Sequence, residues 1–276
     1  MIFKSDKMNL NFNNAVAYLT FKDFEKYDFV KHAFSTRISG VSQNEFASMN
    51  LSFNRGDPKE NVIENYHRFC KAVELDFSSL VASSQDHGTY IREVNEKDKG
   101  IGIWREKDIK SVDGLVTDVK NVTLVTYYAD CVPLFFIDPV NRVVGLAHSG
   151  WRGTLSMIGG KMIEKMNTSY NCDVSNIVVG IGPSIGPCCY EVDFNVASEF
   201  YQIKEFGVSE CIKKMNNNKY MLNLWEINRK ILLNSGVLEK NIIVTDLCTS
   251  CNSDLLFSHR KTGGKRGGMA AMICIN

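Results

Sequence analysis

The sequence predicts a single α/β domain, spanning residues 1–276, in which mixed sheets and helices are layered on one another. Continuous apolar runs in the middle of the chain are typical of strands buried on both faces, and segments with helical periodicity alternate with them. No repeat, low-complexity tract or linker divides the chain. The segment lengths also require some long connections and some antiparallel strand pairs, so a simple doubly wound sheet is not expected.

The first half of the chain begins with strands and continues with a helix. NAVAYLTF, near the N-terminus, predicts a strand. KENVIENYHRFCKAVEL, residues 59–75, has apolar residues at helical spacing, and Asp57-Pro58 supplies a start signal. LVASSQ, residues 80–85, predicts a strand that leads into a loop carrying His87.

The middle of the chain carries the strongest strand signals. NVTLVTYYADCVPLFFIDP predicts two strands interrupted at residues 129–133, and RVVGLAHSG predicts a third. Helices are expected over residues 154–166 and 224–234, and strands are expected at NIVVGIGP and NIIVTDLC.

Composition limits the classes of function. Hydrophobic residues make up 44% and charged residues 23%, and the net charge of +1 lacks the basic footprint of a nucleic-acid binder. No apolar run reaches the roughly 18–20 residues that span a bilayer. MIFKSDKMNLNFNN has no apolar segment typical of a signal peptide. We therefore expect a cytoplasmic protein without nucleic-acid or membrane partners, with the monomer as the default state.

The nine cysteines do not form the pattern of a secreted disulfide framework, because their number is odd and their spacing irregular. Most are expected to be reduced thiols packed as small hydrophobic residues. Cys248 and Cys251 form a C-x-x-C pair, which occurs in zinc sites and redox pairs, but no second such pair follows. For this pair and for the adjacent Cys188 and Cys189, a structural role is the expectation.

Candidate chemistry is concentrated in three segments: QDHG, ADCVP and HSGWRGT. They supply His87, Cys131 and His148, two imidazoles and one thiolate. This set suits a catalytic zinc, which takes three protein ligands and leaves a fourth position open. Spacing alone fits equally well with a buried thiol and two core histidines.

Several basic residues are candidates for binding an anion. In HSGWRGT a predicted strand ends and a helix begins. The N-terminal backbone amides of that helix, together with Arg152, could therefore bind a phosphate. Arg37 lies in FSTRISGVS. The loop SHRKTGGKRGG, with Arg260, Lys261, Lys265 and Arg266, is either a solvated surface or a loop that closes over a phosphate-bearing substrate.

These motifs resemble one family in order and content. FSTRISGVS, MNLSFNRGD, QDHG, SVDGLVT, ADCVPLFFID, GLAHSGWRGT, GPSIGPCCYEV and LFSHRKTGG run from Phe34 to Gly264. They resemble the YfiH-like proteins, also called the multicopper polyphenol oxidase (laccase-like) or peptidoglycan editing factor family. The combination of ADCVP and HSGWRGT is specific to that family.

The resemblance implies a fold, a metal and an activity. The fold would be similar to the catalytic domain of cytotoxic necrotizing factor toxins. The family's metal ligands fall on His87, Cys131 and His148, with zinc as the expected ion and copper as the less favoured alternative. Members of the family deaminate adenosine and cleave adenosine, inosine, guanosine and methylthioadenosine with phosphate. Peptidoglycan editing is a separate implied role.

The same resemblance suggests roles for individual residues. Cys131, His148 and Asp130 are the catalytic candidates, and Asp130 is favoured over Asp113 as the carboxylic acid that carries a proton. Arg37 and Arg152 are expected to hold phosphate, and Asn50 the ribose hydroxyls. The chain departs from the family at Ser39, where a glycine is usual, and at KRGGM, where the family has G-R-Q or G-R-M. Both departures bear on nucleoside preference.

Three other readings remain open at this point. The first is a copper-dependent polyphenol oxidase, although one His/Cys/His site cannot supply a multicopper cluster. The second is a Cys–His hydrolase or amidase that edits peptidoglycan precursors, with Cys131 as nucleophile and His148 as base. The third is a non-enzymatic scaffold.

Overall fold

Two six-stranded mixed sheets face each other in the structure, a computed structural model that describes residues 3–276. The strands, in chain order, are β1 (Met8–Asn13), β2 (Val16–Phe21), β3 (Val30–Ser35), β4 (Leu80–Ala82), β5 (Tyr90–Glu93), β6 (Val112–Thr117), β7 (Thr123–Tyr128), β8 (Val132–Asp138), β9 (Val143–Ser149), β10 (Val178–Ile181), β11 (Glu191–Asp193), β12 (Ile212–Lys214), β13 (Lys219–Leu222), β14 (Ile242–Val244) and β15 (Met269–Ile275). The α-helices are α1 (Lys59–Val73), α2 (Trp151–Leu155), α3 (Ile158–Tyr170), α4 (Phe194–Tyr201), α5 (Leu224–Asn234) and α6 (His259–Thr262).

The first sheet has the strand order β1-β2-β3-β15-β7-β4, and the second has the order β14-β10-β8-β9-β6-β5. A small third sheet has the order β11-β13-β12. Most pairs are antiparallel, whereas β4–β7, β5–β6 and β10–β14 are parallel. The expected mixture of parallel and antiparallel pairs is confirmed. The extent of the domain, residues 1–276, stays a prediction, and its first two residues lie outside the described part.

Successive side chains of a strand point to opposite faces of its sheet, and the outer face of each sheet is covered by helices, so the fold has four layers. In β7, Leu124 packs into the core between the two sheets, while the next residue, Val125, packs with α1. In β8, Phe135 faces the core between the sheets, whereas Phe136 faces the layer that contains α3 and α5. Strands β7 and β8 therefore bury both faces, which explains their continuous apolar runs, and each phenylalanine contributes about 1.5–3 kcal/mol.

The helices agree with the sequence at two positions and differ at a third. The helices expected at residues 59–75 and 224–234 are present as α1 and α5. The prediction of one helix over residues 154–166 was wrong. The chain is already helical at Trp151, and it breaks at Met157, whose φ of 58° interrupts the helix before α3 begins. The early start lets Thr154 hydrogen-bond Ser149 at the end of β9, over 2.9 Å.

Two strands are shorter than the sequence suggested. Of LVASSQ, Leu80–Ala82 forms the strand. The Ser83 N–H still donates to the Val125 carbonyl in β7 over 3.0 Å, but Ser84 then pairs with Val112 of the second sheet. Of NIIVTDLC, Ile242–Val244 forms the strand. No α-helix within residues 3–276 is long and apolar enough to cross a membrane.

The passage from β7 to β8 places the site. Strand β7 belongs to the first sheet and β8 to the second, so the chain crosses between the layers within Ala129–Cys131. Asp130 adopts a φ of 92°, a left-handed conformation that is uncommon outside glycine. Such strain is retained where the surrounding structure over-determines it, often at functional sites. The crossing presents Cys131 at the edge of the sandwich.

Candidate active site

His87, Cys131 and His148 come together at this edge of the sandwich. His87 lies in the loop after β4, Cys131 follows the crossing, and His148 is in β9. One donor atom of each residue lies within 4.8 Å of the others, and 3.9 Å separates Cys131 Sγ from His87 Nε2. The cluster formed by these three residues is called the His/Cys centre below.

Gly150 is required by this close approach. A Cβ atom at position 150 would lie 2.8 Å from His87 Cδ2 and 3.2 Å from Cys131 Sγ. A side chain there would displace two of the three candidate ligands. The glycine after His148 is therefore explained by the geometry of the His/Cys centre.

The Asp113 carboxylate, in β6, holds two residues of the His/Cys centre in position. It is fully buried and accepts a hydrogen bond of 2.7 Å from His148 Nδ1. It also accepts backbone N–H groups from Asp86, His87 and Gly88 over 3.1, 3.1 and 2.8 Å. One carboxylate thus fixes the ring of His148 and the loop that carries His87. Because His148 Nδ1 is engaged, its Nε2 is left as the ligand atom.

The charges of the centre suit metal binding. Burial alone would raise the pKa of the Cys131 thiol, but His148 and His87 lower it to about 6. Burial would lower the pKa of His148, but Cys131 and Asp113 raise it to about 9. Burial likewise opposes ionisation of Asp113, and hydrogen bonds from His148 and the backbone outweigh it, so its pKa is lowered. The two histidines therefore favour the thiolate of Cys131, which is the form that binds metals.

The donor set fits zinc. Two imidazoles and a thiolate are three ordinary zinc ligands, and a site with three protein ligands keeps a position for water or substrate. The carboxylate behind His148 is the partner that metal-bound histidines usually have. The cysteine and histidine clustering thus indicates metal binding.

A cavity of about 850 Å³ opens over the His/Cys centre. Its volume is in the range of small-molecule sites. Aromatic side chains make up much of its wall, and they are Phe53, Trp104, Tyr127, Tyr128, Trp151 and Tyr190. Such walls suit a flat heteroaromatic ring.

The same cavity has a cationic wall. Arg266 is only 8% exposed; its Nη1 donates to the Gly267 carbonyl, and its Nε has no hydrogen-bond partner within residues 3–276. Burial, together with the nearby Arg55, lowers the pKa of Arg266 to about 10. Arg55, Lys59 and Arg260 line the cavity as well. A buried, incompletely bonded guanidinium beside further cations is a place for an anion.

Asp130 also lines the cavity, but both of its carboxylate oxygens are engaged. Oδ1 accepts from the Thr249 hydroxyl over 2.6 Å, and Oδ2 accepts the Arg260 backbone N–H over 2.7 Å. These bonds tie the strained crossing to the segment after β14. Positioning is therefore the role that the geometry shows most directly for Asp130.

The predicted substrate residues are placed differently. Arg37 does not line the cavity; its guanidinium donates to the carbonyls of Ala47 and Ser253 and lies over the Phe257 ring. Arg152 is exposed and stacks on Trp151, with 4.2 Å from its Cζ to the ring centroid.

Asn50 is fully buried outside the cavity. Its Nδ2 donates to Asp57 over 2.8 Å, and its Oδ1 accepts the Gly268 N–H over 2.8 Å. It therefore supports the backbone next to Arg266 instead of presenting a free polar group to a ribose.

Sequence reasoning missed Arg55 and Lys59, and treated Arg266 only as one member of a basic loop. Arg55 lies in MNLSFNRGD, whose resemblance to the family offered a signal for it. Tyr190, directly after the adjacent cysteines, was also missed. No periodicity marks these residues, because they come from separate loops.

Comparisons with known proteins identify the family and the fold of the chain. A family model described as multi-copper polyphenol oxidoreductase laccase matches residues 31–276. The chain is 38% identical over 243 residues to the Bacillus subtilis protein named purine nucleoside phosphorylase YlmD, an alignment covering 87% of this chain and 86% of that protein. It is 29% identical over 253 residues to a protein from an unknown prokaryotic organism named adenosine deaminase RL5, with 89% and 96% covered.

Among solved structures, the crystal structure of the Bacillus licheniformis hypothetical protein YfiH superposes with a TM-score of 0.91 at 33% identity. The superposition covers 95% of this chain and 98% of that one. The α/β fold expected from the sequence is thereby confirmed.

Replacing Asp113 with asparagine should weaken metal binding about 10- to 100-fold, the usual effect of losing such a supporting carboxylate. A neutral amide holds the Nδ1 proton of His148 less strongly than a carboxylate does, which leaves its Nε2 a weaker ligand. Competition with a chromophoric zinc chelator measures the affinity. Asp138→Asn is the matched control, since Asp138 is equally buried but accepts N–H groups at the far end of β8. Equal zinc affinity in Asp113→Asn and the control would contradict the role given to Asp113.

Proposed function

This chain belongs to the family described as multi-copper polyphenol oxidoreductase laccase, and from that premise we propose that it is a zinc-dependent enzyme that cleaves purine nucleosides with phosphate. The family is the one that the sequence motifs indicated. Relatives of the chain are named as purine nucleoside phosphorylases, and one as an adenosine deaminase. Processing of purine nucleosides is therefore the activity that these names share, and the proposal starts from it.

One observation carries the proposal: the cavity over the His/Cys centre also contains the incompletely bonded guanidinium of Arg266. Phosphorolysis needs a nucleoside and a phosphate side by side, because phosphate oxygen replaces the purine at the ribose. Aromatic walls and a cationic wall in one cavity meet that requirement. A hydrolase or a phenol oxidase has no need of the cationic wall.

We assign separate roles in phosphorolysis to the residues in and around the cavity. Arg266 and Arg55 hold phosphate, in place of the Arg37 and Arg152 pair expected from the sequence. Tyr190 and Trp151 flank the purine ring. Breaking the N-glycosidic bond develops positive charge on the ribose, and a phosphate anion held beside it stabilises that charge. Asn50, instead of contacting ribose, keeps the Arg266 segment in place.

His87, Cys131 and His148 would hold the zinc, which when bound supplies Lewis acidity and activates water. Asp113 keeps His148 Nε2 directed at that position. The same centre would serve deamination of adenosine, in which water adds to C6 of the purine and ammonia leaves. To carry the proton to ammonia, the role that the resemblance suggested, Asp130 would have to give up its hydrogen bond from Thr249 or from the Arg260 backbone.

Finer assignments remain predictions. Methylthioadenosine, inosine and guanosine as substrates, peptidoglycan editing and a cytoplasmic location follow from the resemblance or the composition alone. Copper is the less favoured ion, because the two groups of potential ligands in residues 3–276 each gather around one point and do not form a multinuclear copper site.

Incubating the purified zinc-loaded protein with adenosine and phosphate should release adenine and ribose 1-phosphate, together with inosine from deamination. Chromatography of the products measures both reactions. His148→Ala should lose both activities and the zinc of the His/Cys centre, because it removes one of the three ligands. Activity that survives chelation and the His148 substitution would contradict a zinc enzyme. Activity that survives chelation but not loss of Cys131 or His148 would favour a Cys131–His148 nucleophile.

Arg266→Gln and Arg55→Gln should each lower kcat/KM for phosphate about 10- to 100-fold, the value of one lost charge-assisted hydrogen bond. Adenosine deamination, which uses no phosphate, should change little. Arg55 is exposed, so its variant keeps the test valid if the Arg266 variant fails to fold.

Arg142→Gln is the matched control for these variants, because Arg142 is an exposed arginine that stacks on Phe29 away from the cavity. Steady-state rates with varied phosphate provide the measurement. A loss in Arg152→Gln with none in the Arg55 and Arg266 variants would contradict the assignment of the cationic wall.

A further inference from the structure

A second cluster of metal-binding side chains lies outside the His/Cys centre. Cys188, Cys189, Cys248 and Cys251 place their sulfur atoms within 4.8 Å of one another. Cys251 Sγ lies 3.5 Å from Cys188 Sγ and 3.4 Å from Cys189 Sγ. The four residues come from two loops, one after β10 and one after β14, and form what is called the four-cysteine cluster below.

The spacing of the sulfurs suits one metal ion. Four sulfurs at the usual Zn–S distance of about 2.3 Å, arranged tetrahedrally, stand about 3.8 Å apart. The separations of 3.4 and 3.5 Å are slightly shorter than that value, and all four sulfurs lie within 4.8 Å of one another. A disulfide would hold two sulfurs at about 2.05 Å, whereas all four cysteines are free thiols in the structure. An iron–sulfur cluster binds its cysteines through separate irons, which spreads the sulfurs further than they lie here.

Two neighbours of the cluster would stabilise thiolates bound to a metal ion. The backbone N–H of Gly186 donates to Cys248 Sγ over 3.2 Å, and the Arg260 guanidinium donates to the Cys189 carbonyl over 3.1 Å. Four thiolates around a divalent ion carry a net charge of −2, which N–H donors and a nearby cation stabilise. A Cβ atom at position 186 would lie 3.1 Å from the Cys248 Cβ, so a residue larger than glycine there would crowd the cluster.

We propose that the four-cysteine cluster binds one zinc ion in a closed site. Four protein sulfurs fill the tetrahedral coordination and leave no position for water or substrate, as in structural zinc sites. The proposal concerns a site separate from the His/Cys centre, and it does not depend on the purine nucleoside activity.

A zinc ion here would fasten two loops that form the cavity. Tyr190, next to Cys189, lines the cavity, and Thr249, next to Cys248, holds the Asp130 carboxylate. Backbone pairing between Ser184 and Thr249 already joins the loops over 3.0 Å. The ion would thus act on the active site through Tyr190 and Asp130, as a positioning element.

Elemental analysis of the reduced protein, purified from zinc-containing medium, tests the proposal. We expect two zinc ions per chain in the wild type, one in His148→Ala and one in Cys251→Ser. Cys188→Ser, also at an exposed position, should match Cys251→Ser and guards against a folding defect in either variant. Cys211→Ser, a buried cysteine outside the cluster, is the matched control and should keep both ions.

Cobalt reconstitution of His148→Ala supplies an independent readout. The expected result is an intense thiolate-to-cobalt absorption that Cys251→Ser in the same background abolishes. One zinc per wild-type chain that is lost in Cys251→Ser but kept in His148→Ala would support the four-cysteine site while contradicting zinc at the His/Cys centre. Unchanged zinc in Cys251→Ser and Cys188→Ser, iron in place of zinc, or a disulfide within the cluster as isolated under reducing conditions would each overturn the proposal.

Discussion

The buried carboxylate of Asp113 is the interaction on which the site depends. A buried charge costs several kcal/mol unless it is paired and hydrogen-bonded. Here the imidazole of His148 and three consecutive backbone N–H groups satisfy it. Those bonds reach β9 on one side and the His87 loop on the other, so one buried anion sets the positions of two candidate ligands. The third, Cys131, is positioned independently by the crossing between the sheets.

That crossing connects the metal chemistry with the rest of the cavity. Asp130 holds an unfavourable backbone conformation beside Cys131, and its carboxylate binds Thr249 and the backbone of Arg260. The segment that stabilises the crossing therefore also forms the cavity wall. If zinc occupies the four-cysteine cluster, the same segment is fastened from its other end. The active site would then rest on two metal positions linked through the Thr249–Asp130 hydrogen bond.

How far the sequence predicts this structure depends on the range of the interactions. Helix α1 follows from local periodicity, and the His/Cys centre follows from motifs that the family resemblance joined. The position of Arg37 outside the cavity could not be predicted, because its guanidinium donates to the Ser253 carbonyl, 216 residues away in the sequence. Arg266 remains available to bind an anion, because folding buries its side chain and leaves its Nε without a hydrogen-bond partner in residues 3–276. The same holds for the four-cysteine cluster, whose halves form one group only when two distant loops meet.

Diffraction from crystals of the native protein, recorded on both sides of the zinc absorption edge, tests the central claim most directly. The account predicts an anomalous peak above the edge bounded by His87 Nε2, Cys131 Sγ and His148 Nε2, and its disappearance below the edge. Fluorescence from the same crystals should identify zinc. A peak at the copper edge in that position, or no metal peak in crystals whose elemental analysis shows bound zinc, would contradict it.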